Sequence, residues 1–112
     1  MKDNFKVQLL EEVDIFLGGL HEKARTKIIY NLRKSQIVND REPFKKLNDN
    51  VWEFRTLHNR TYYRLFAFWD KTKKTETVVI STHGIEKKTG KTPAKEIAKT
   101  ERIMKQYFEA KK

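Results

Sequence analysis

The segment TYYRLFAFWD, residues 61–70, constrains the fold of this chain more than any other. Its large apolar side chains fall at both odd and even positions: Tyr62, Phe66 and Phe68 on one parity, Tyr63, Leu65 and Trp69 on the other. Successive side chains of a strand point to opposite faces, so both faces of this one must be covered at least in part. That is the situation of a central strand. On its N-terminal side, residues 51–56 alternate, with Trp52 and Phe54 on one face and Glu53 and Arg55 on the other. On its C-terminal side, residues 76–83 hold the β-branched run Val78, Val79, Ile80. His58, Asn59 and Arg60 make the first turn and a polar loop over 71–75 the second. The three strands are therefore expected to form an antiparallel meander.

What precedes the meander reads as one short strand and two helices. Phe5, Val7 and Leu9 alternate with polar residues over 4–9. Glu11 and Glu12 then suit the N-terminal dipole of a helix carrying Val13, Phe16, Leu17 and Leu20, and Gly18-Gly19 breaks it. A second helix is expected over 21–39, with Ala24, Ile28, Leu32 and Gln36 in line on its inner face. So tight a connection predicts an antiparallel helical hairpin laid on one side of the sheet. Residues 39–43 read as a helix stop and turn. Phe44 and Leu47 are expected to pack, with Lys45 and Lys46 in solvent, and Asn48-Asp49-Asn50 is a turn before the meander. Gly84 is expected to end the third strand. Thr92 is placed to cap a last helix over 93–108 with Pro93 at its first position, and residues 110–112 should fray. The sum is one α+β domain over residues 1–112.

Composition narrows the partner. The 25 Lys and Arg residues against 15 Asp and Glu give a net charge of +10, a field that favours a polyanion such as nucleic acid. The 38% of hydrophobic residues is low, yet they are clustered enough for a folded core. Cysteine is absent, which excludes disulfides, thiolate metal sites and a cysteine nucleophile. No histidine pair has metal-ligand spacing, and neither a metal nor another cofactor is expected. Phosphate-binding loops, dinucleotide fingerprints and serine nucleophile elbows are missing. With no signal peptide and no apolar run of spanning length, a cytoplasmic location is expected and a membrane partner is not.

Chemistry is carried by cations on or beside the meander. A strand arginine is costly to bury unless a partner meets it, and Arg55 and Arg64 both lie in strands. They either pair internally, with Glu53, Asp70 or Glu76 as the available acids, or form a rigid anion clamp. Lys87, Lys88, Lys91 and Lys95 follow the third strand. Such a run is ordinarily solvated, but this one leaves the sheet that displays the arginines. Converging cations there would bind a phosphate and stabilise the extra charge of a phosphorane-like transition state. His83 titrates near neutrality and is either a proton-transfer group or a structural histidine. Glu53, a carboxylate among cations, is a poor base and is better suited to orienting an arginine. Tyr62, Tyr63 and Trp69 are either core or a stacking surface for bases.

Taken in order, Phe44-x-x-Leu47 before a turn, Trp52-Glu53-Phe54-Arg55, Tyr62-Tyr63-Arg64-Leu65-Phe66-Ala67-Phe68 and the run HGIEKKTGKTP over 83–93 resemble the HigB-like branch of the RelE/ParE toxin superfamily. That resemblance implies a compact RelE-like fold, a helical hairpin on a small, mainly antiparallel sheet with a C-terminal helix. It also implies the toxin of a type II toxin–antitoxin module, a metal-independent endoribonuclease that cuts mRNA on the ribosome. The implied catalytic set is Arg55, Arg64, Lys87, Lys88 and His83, with Lys91, Lys95, Arg60 and Lys46 as further RNA contacts. Tyr107 is the aromatic hydroxyl that the tail offers. The implied partners are mRNA, the ribosome and a cognate antitoxin with a helix-turn-helix. Two other functions stay open: poisoning of DNA gyrase on the same fold, as in ParE-type relatives, and RNA binding without cleavage.

Overall fold

The computed structural model describes residues 3–38, 42–88 and 90–111. Its elements are β1 (Lys6–Leu9), α1 (Glu11–Gly18), α2 (Glu22–Ile37), β2 (Phe44–Lys46), β3 (Trp52–His58), β4 (Thr61–Asp70), β5 (Val78–Lys87) and α3 (Ala94–Ala110). The strands form one open sheet in the order β1-β5-β4-β3-β2. β4 lies at its centre, as the two-sided apolar pattern requires. The meander β3-β4-β5 is antiparallel, β2 joins β3 antiparallel, and β1 pairs with β5 in parallel. The result is a compact α+β arrangement around a mixed sheet.

One face of the sheet carries α1 and α2. Val13 and Leu17 of α1 and Ile28 of α2 pack with Phe54, Leu65, Ala67 and Val79. An aromatic group extends this core toward the sheet edge, with Phe44 stacked on Phe54 at 4.3 Å between centroids and Phe5 edge-on to Trp69 at 5.2 Å. Each such ring, once buried, contributes about 1.5–3 kcal/mol. The opposite face carries α3, whose Met104, Tyr107 and Phe108 cover Phe68, Val78 and Ile80. The far end of α3 is pinned by Asp70. Its buried carboxylate accepts from Tyr107 Oη (2.6 Å), Lys111 Nζ (2.8 Å) and both the amide and the hydroxyl of Thr72 (2.9 and 2.6 Å).

Several expectations change. An N-terminal helical hairpin is not confirmed: β1 comes first, α1 docks mainly on β5 and α2 mainly on β3. Phe44–Lys46, to which the sequence pattern assigns no element, is a strand because Phe44 reaches the aromatic group while its backbone pairs with β3. β5 does not end at Gly84. It runs to Lys87, and glycine is present because a Cβ would lie 2.5 Å from Phe16 and 2.8 Å from Leu65. Thr92 does not cap α3; Pro93 holds the cap position and the Thr92 hydroxyl is turned to Glu53. Lys111 is held by Asp70 instead of fraying. Of the expected turn over 39–43, residues 39–41 lie outside the described residues, as do Thr89 of the lysine loop and Lys112 of the tail.

One irregularity sets which side chains share a face. Ala67 pairs with Ser81 but Phe66 pairs with His83, so Thr82 is an extra residue in β5. Such a bulge shifts the alternation of the strand by one. Before it, Val78 and Ile80 face α3. Beyond it, His83, Ile85 and Lys87 take that face, opposite Phe66, Arg64 and Tyr62.

Candidate nucleic-acid interface

The α3 face of the sheet is covered by that helix at only one end. At the other end the register brings cations into rows. Lys45 of β2 stands opposite Glu53 of β3, Arg55 opposite Arg64 of β4, and Tyr62 between Leu57 and Lys87. Two arginines directly across from each other repel. Glu53 resolves this. Its carboxylate is fully buried, and Oε2 accepts from Arg55 Nε (3.0 Å) and Nη2 (2.9 Å) and from Arg64 Nη1 (2.6 Å), while Oε1 accepts from Thr92 Oγ1 (2.8 Å).

The two arginines differ in what is left to them. Arg64 is wholly buried. Besides Glu53 it donates from Nη2 to the Gly90 carbonyl, and its guanidinium lies 5.3 Å from the centroid of the Tyr62 ring. Its Nε has no hydrogen-bond partner among the described residues. The arrangement is thus an internal ion pair that also ties the loop after β5 to the sheet. Arg55 is 29% exposed and keeps Nη1 outside the Glu53 contact. It lines a groove of about 360 Å³ at the sheet edge, together with Asn31 and Lys34 of α2, Glu42, Pro43, Lys45, Leu57 and Tyr62.

Lys87 is on the same face as Arg55, on the far side of Tyr62, and with Lys88, Thr61 and Glu86 it lines a smaller depression. Lys88, Lys91 and Lys95 are exposed on the loop and the first turn of α3. Arg60 is exposed at the tip of the β3–β4 hairpin, where Asn59 and Arg60 both have positive φ (50° and 62°). Lys46 stands opposite Trp52 and so belongs to the other face. His83 is buried under α3, with Nδ1 2.8 Å from Thr82 Oγ1, Nε2 3.1 Å from Glu96 Oε1 and its ring stacked on Phe66 at 4.9 Å. Burial lowers its pKa despite the opposing Glu96 contact, which keeps the ring neutral. Tyr107 is committed to Asp70, six residues along β4 from Arg64 and so about 20 Å away. Burial first, then the Asp70 bond, raises its pKa.

Lys45 was missed by sequence reasoning. The signal was available: Phe44 needs the core, so the next residue of an extended segment must face the other way, beside Glu53. Among the described residues no three histidine, aspartate or glutamate side chains converge to hold a metal ion. No helix among them is long and apolar enough to cross a membrane.

A small basic α+β domain with a buried carboxylate ordering arginines on an open sheet face is what the geometry defines. Comparison with protein families then places it: the phage-derived Gp49-like family (DUF891) matches residues 15–105, and the chain belongs to that family. The family is associated with toxin–antitoxin-like systems. The match runs from the second half of α1 through most of α3 and so includes every residue of the arginine network. Neither the curated proteins nor the solved structures gave a match.

Proposed function

We propose that this chain is the toxin of a type II toxin–antitoxin module and that it cuts mRNA, on the ribosome, as HigB-like toxins do. The observation that carries the reading is Arg55, a half-buried arginine fixed by Glu53 on the open, cation-rich face of the sheet. Membership of a family associated with toxin–antitoxin-like systems supports it.

RNA brings its own nucleophile. The 2′-hydroxyl gives up its proton to solvent as it attacks the adjacent phosphorus, and the 5′-oxygen of the next nucleotide leaves with a proton of its own. The products are a 2′,3′-cyclic phosphate, which can open to a 3′-phosphate, and a 5′-hydroxyl. No metal is required for that sequence of bonds. Arg55 clamps the scissile phosphate. Lys87 and Lys88 neutralise developing charge or protonate the leaving oxygen. Arg64 acts by holding Glu53 and the loop in place. The cognate antitoxin presents acidic or apolar segments to this surface, with a helix-turn-helix for operator DNA.

The test is induction of the chain in bacteria with mapping of new 5′ ends. Translation-dependent breaks inside reading frames, ending in 5′-hydroxyls, support the reading. Arrest with intact mRNA and a DNA-damage response replaces it with gyrase poisoning. Arg55→Ala should lower cleavage about 10²- to 10³-fold with the fold intact. RNA binding without cleavage is a second reading, favoured by one observation: both ring nitrogens of His83 and two Arg64 nitrogens are already engaged within the protein.

A further inference from the structure

We propose that the edge groove between α2 and β3 is a subsite for single-stranded RNA, with a phosphate between Arg55 and Lys45 and an unpaired base against Tyr62 and Leu57. This rests on the reading of the chain as a protein that acts on RNA, and extends it to residues outside the arginine pair and the lysine loop.

The charge balance points to an anion. Glu53 carries one negative charge and meets two arginines. Arg64, fully buried, takes that charge in the interior, so the charge of Arg55 is left over at the groove. Lys45 is diagonal to Arg55 across β2 and β3, a separation that long side chains bridge. Among the described residues, Arg55, Lys45 and Lys34 line the groove, with Glu42 as an acid.

The remaining wall points to a base. Tyr62 is braced from behind: the Arg64 guanidinium stacks on its ring, and a Cβ at Gly90 would stand 3.9–4.0 Å from ring atoms. Leu57, its cross-strand partner, is 48% exposed. A fixed aromatic ring beside an exposed leucine makes a flat apolar platform next to a cationic cleft. Bases in a duplex have their faces stacked away, so this platform serves only an unpaired base. β2 begins at Phe44 and pairs β3 only through residues 52–54, so among the described residues no strand lies beside Leu57 on that edge. The volume of about 360 Å³ falls in the range of small-ligand sites.

The experiment uses the full chain and a 2′-O-methyl single-stranded RNA oligonucleotide, which cannot be cut, with binding read by fluorescence anisotropy at several salt concentrations. Tyr62→Leu should weaken binding about 5- to 100-fold. Lys45→Ala should reduce the slope of log affinity against log salt by about 0.7. Lys105→Ala, on the exposed side of α3, serves as the control and should match wild type. RNA containing 4-thiouridine should crosslink to the β3–β4 hairpin of the unmodified chain, which tests the site without any substitution. Wild-type affinity in both groove variants, or crosslinks confined to other segments, overturns the subsite while cleavage by wild type still upholds the nuclease reading. Groove-dependent binding with no cleavage in cells upholds the subsite and removes the nuclease reading. No binding by wild type removes both.

Discussion

The two ends of the α3 face are built on the same device and put it to different use. At one end Asp70 gathers Tyr107, Lys111 and Thr72; at the other Glu53 gathers Arg55, Arg64 and Thr92. Both carboxylates are buried. Asp70 draws its donors from α3 and from its own loop, so its bonds fasten a helix to the sheet. Glu53 draws two cations from the sheet itself, and one of them remains partly in solvent. A buried carboxylate with one counter-charge is balanced; with two, it leaves one positive charge over, at the partly exposed Arg55. The bonds alone do not distinguish the two networks. The count of charges does.

The comparison is broken most severely at Glu53. Glu53→Gln leaves Arg64 buried without a counter-ion and should cost about 3–5 kcal/mol, visible as a large fall in melting temperature. At the closed end the loss should be smaller. Asp70→Asn removes a charged acceptor and should cost about 1–2 kcal/mol at neutral pH.

That second cost depends on pH. Burial alone would raise the Asp70 carboxyl, but the bonds from Lys111, Thr72 and Tyr107 outweigh it and hold its pKa below the usual carboxylate range. A depressed carboxyl stabilises the fold above its unfolded pKa of about 3.9 and loses this as pH falls through the folded value. Wild type and Asp70→Asn should therefore converge in stability below about pH 4, as urea titrations at neutral and acid pH would show. His83 adds a milder effect. Its folded pKa is also depressed, so its contribution is complete above about pH 6.5 and declines as pH falls. Between pH 7 and 5 wild type should lose stability that His83→Gln does not. Smallest of all, Arg60→Gly relieves a left-handed residue in the β3–β4 turn and should raise stability by about 0.5–1 kcal/mol. Weaker RNA binding in that variant would assign Arg60 to the open end's function; unchanged binding would leave it a turn residue.

Much of this was legible in the chain. The central position of β4 followed from its two-sided apolar pattern, and the meander from the turns around it. Glu53 as the partner of an arginine followed from the alternation of β3, which puts it on the Arg55 face. Other features depend on contacts between distant segments. Gly84 looks like a terminator until Phe16 is seen in the space a side chain would need. Thr92 has the sequence of a helix cap, yet the buried oxygen of Glu53 competes for its hydroxyl and wins. Lys45 reads as a solvated lysine because β2 is three residues long and carries no alternation of its own. Arg64 left two readings open, and only its burial and its bond to the Gly90 carbonyl place it inside a network.

The bulge at Thr82 has a consequence for how such a chain can change by insertion and deletion. β5 in effect carries two reading frames, one for each side of that residue. In the observed frame Lys87 stands across from Tyr62 and Ile85 across from Arg64. Excise Thr82 and keep the earlier pairing, and His83 still meets Phe66, Gly84 still meets Leu65 and Lys87 still meets Tyr62, because the residue removed had no partner across the ladder. Deletion of a paired residue beyond the bulge does change the frame: without Ile85, Glu86 would stand across from Arg64 and Lys87 would turn to the face of Tyr63. Position 82 thus gives the ladder slack in its length, while its buried hydroxyl stays tied to His83 Nδ1.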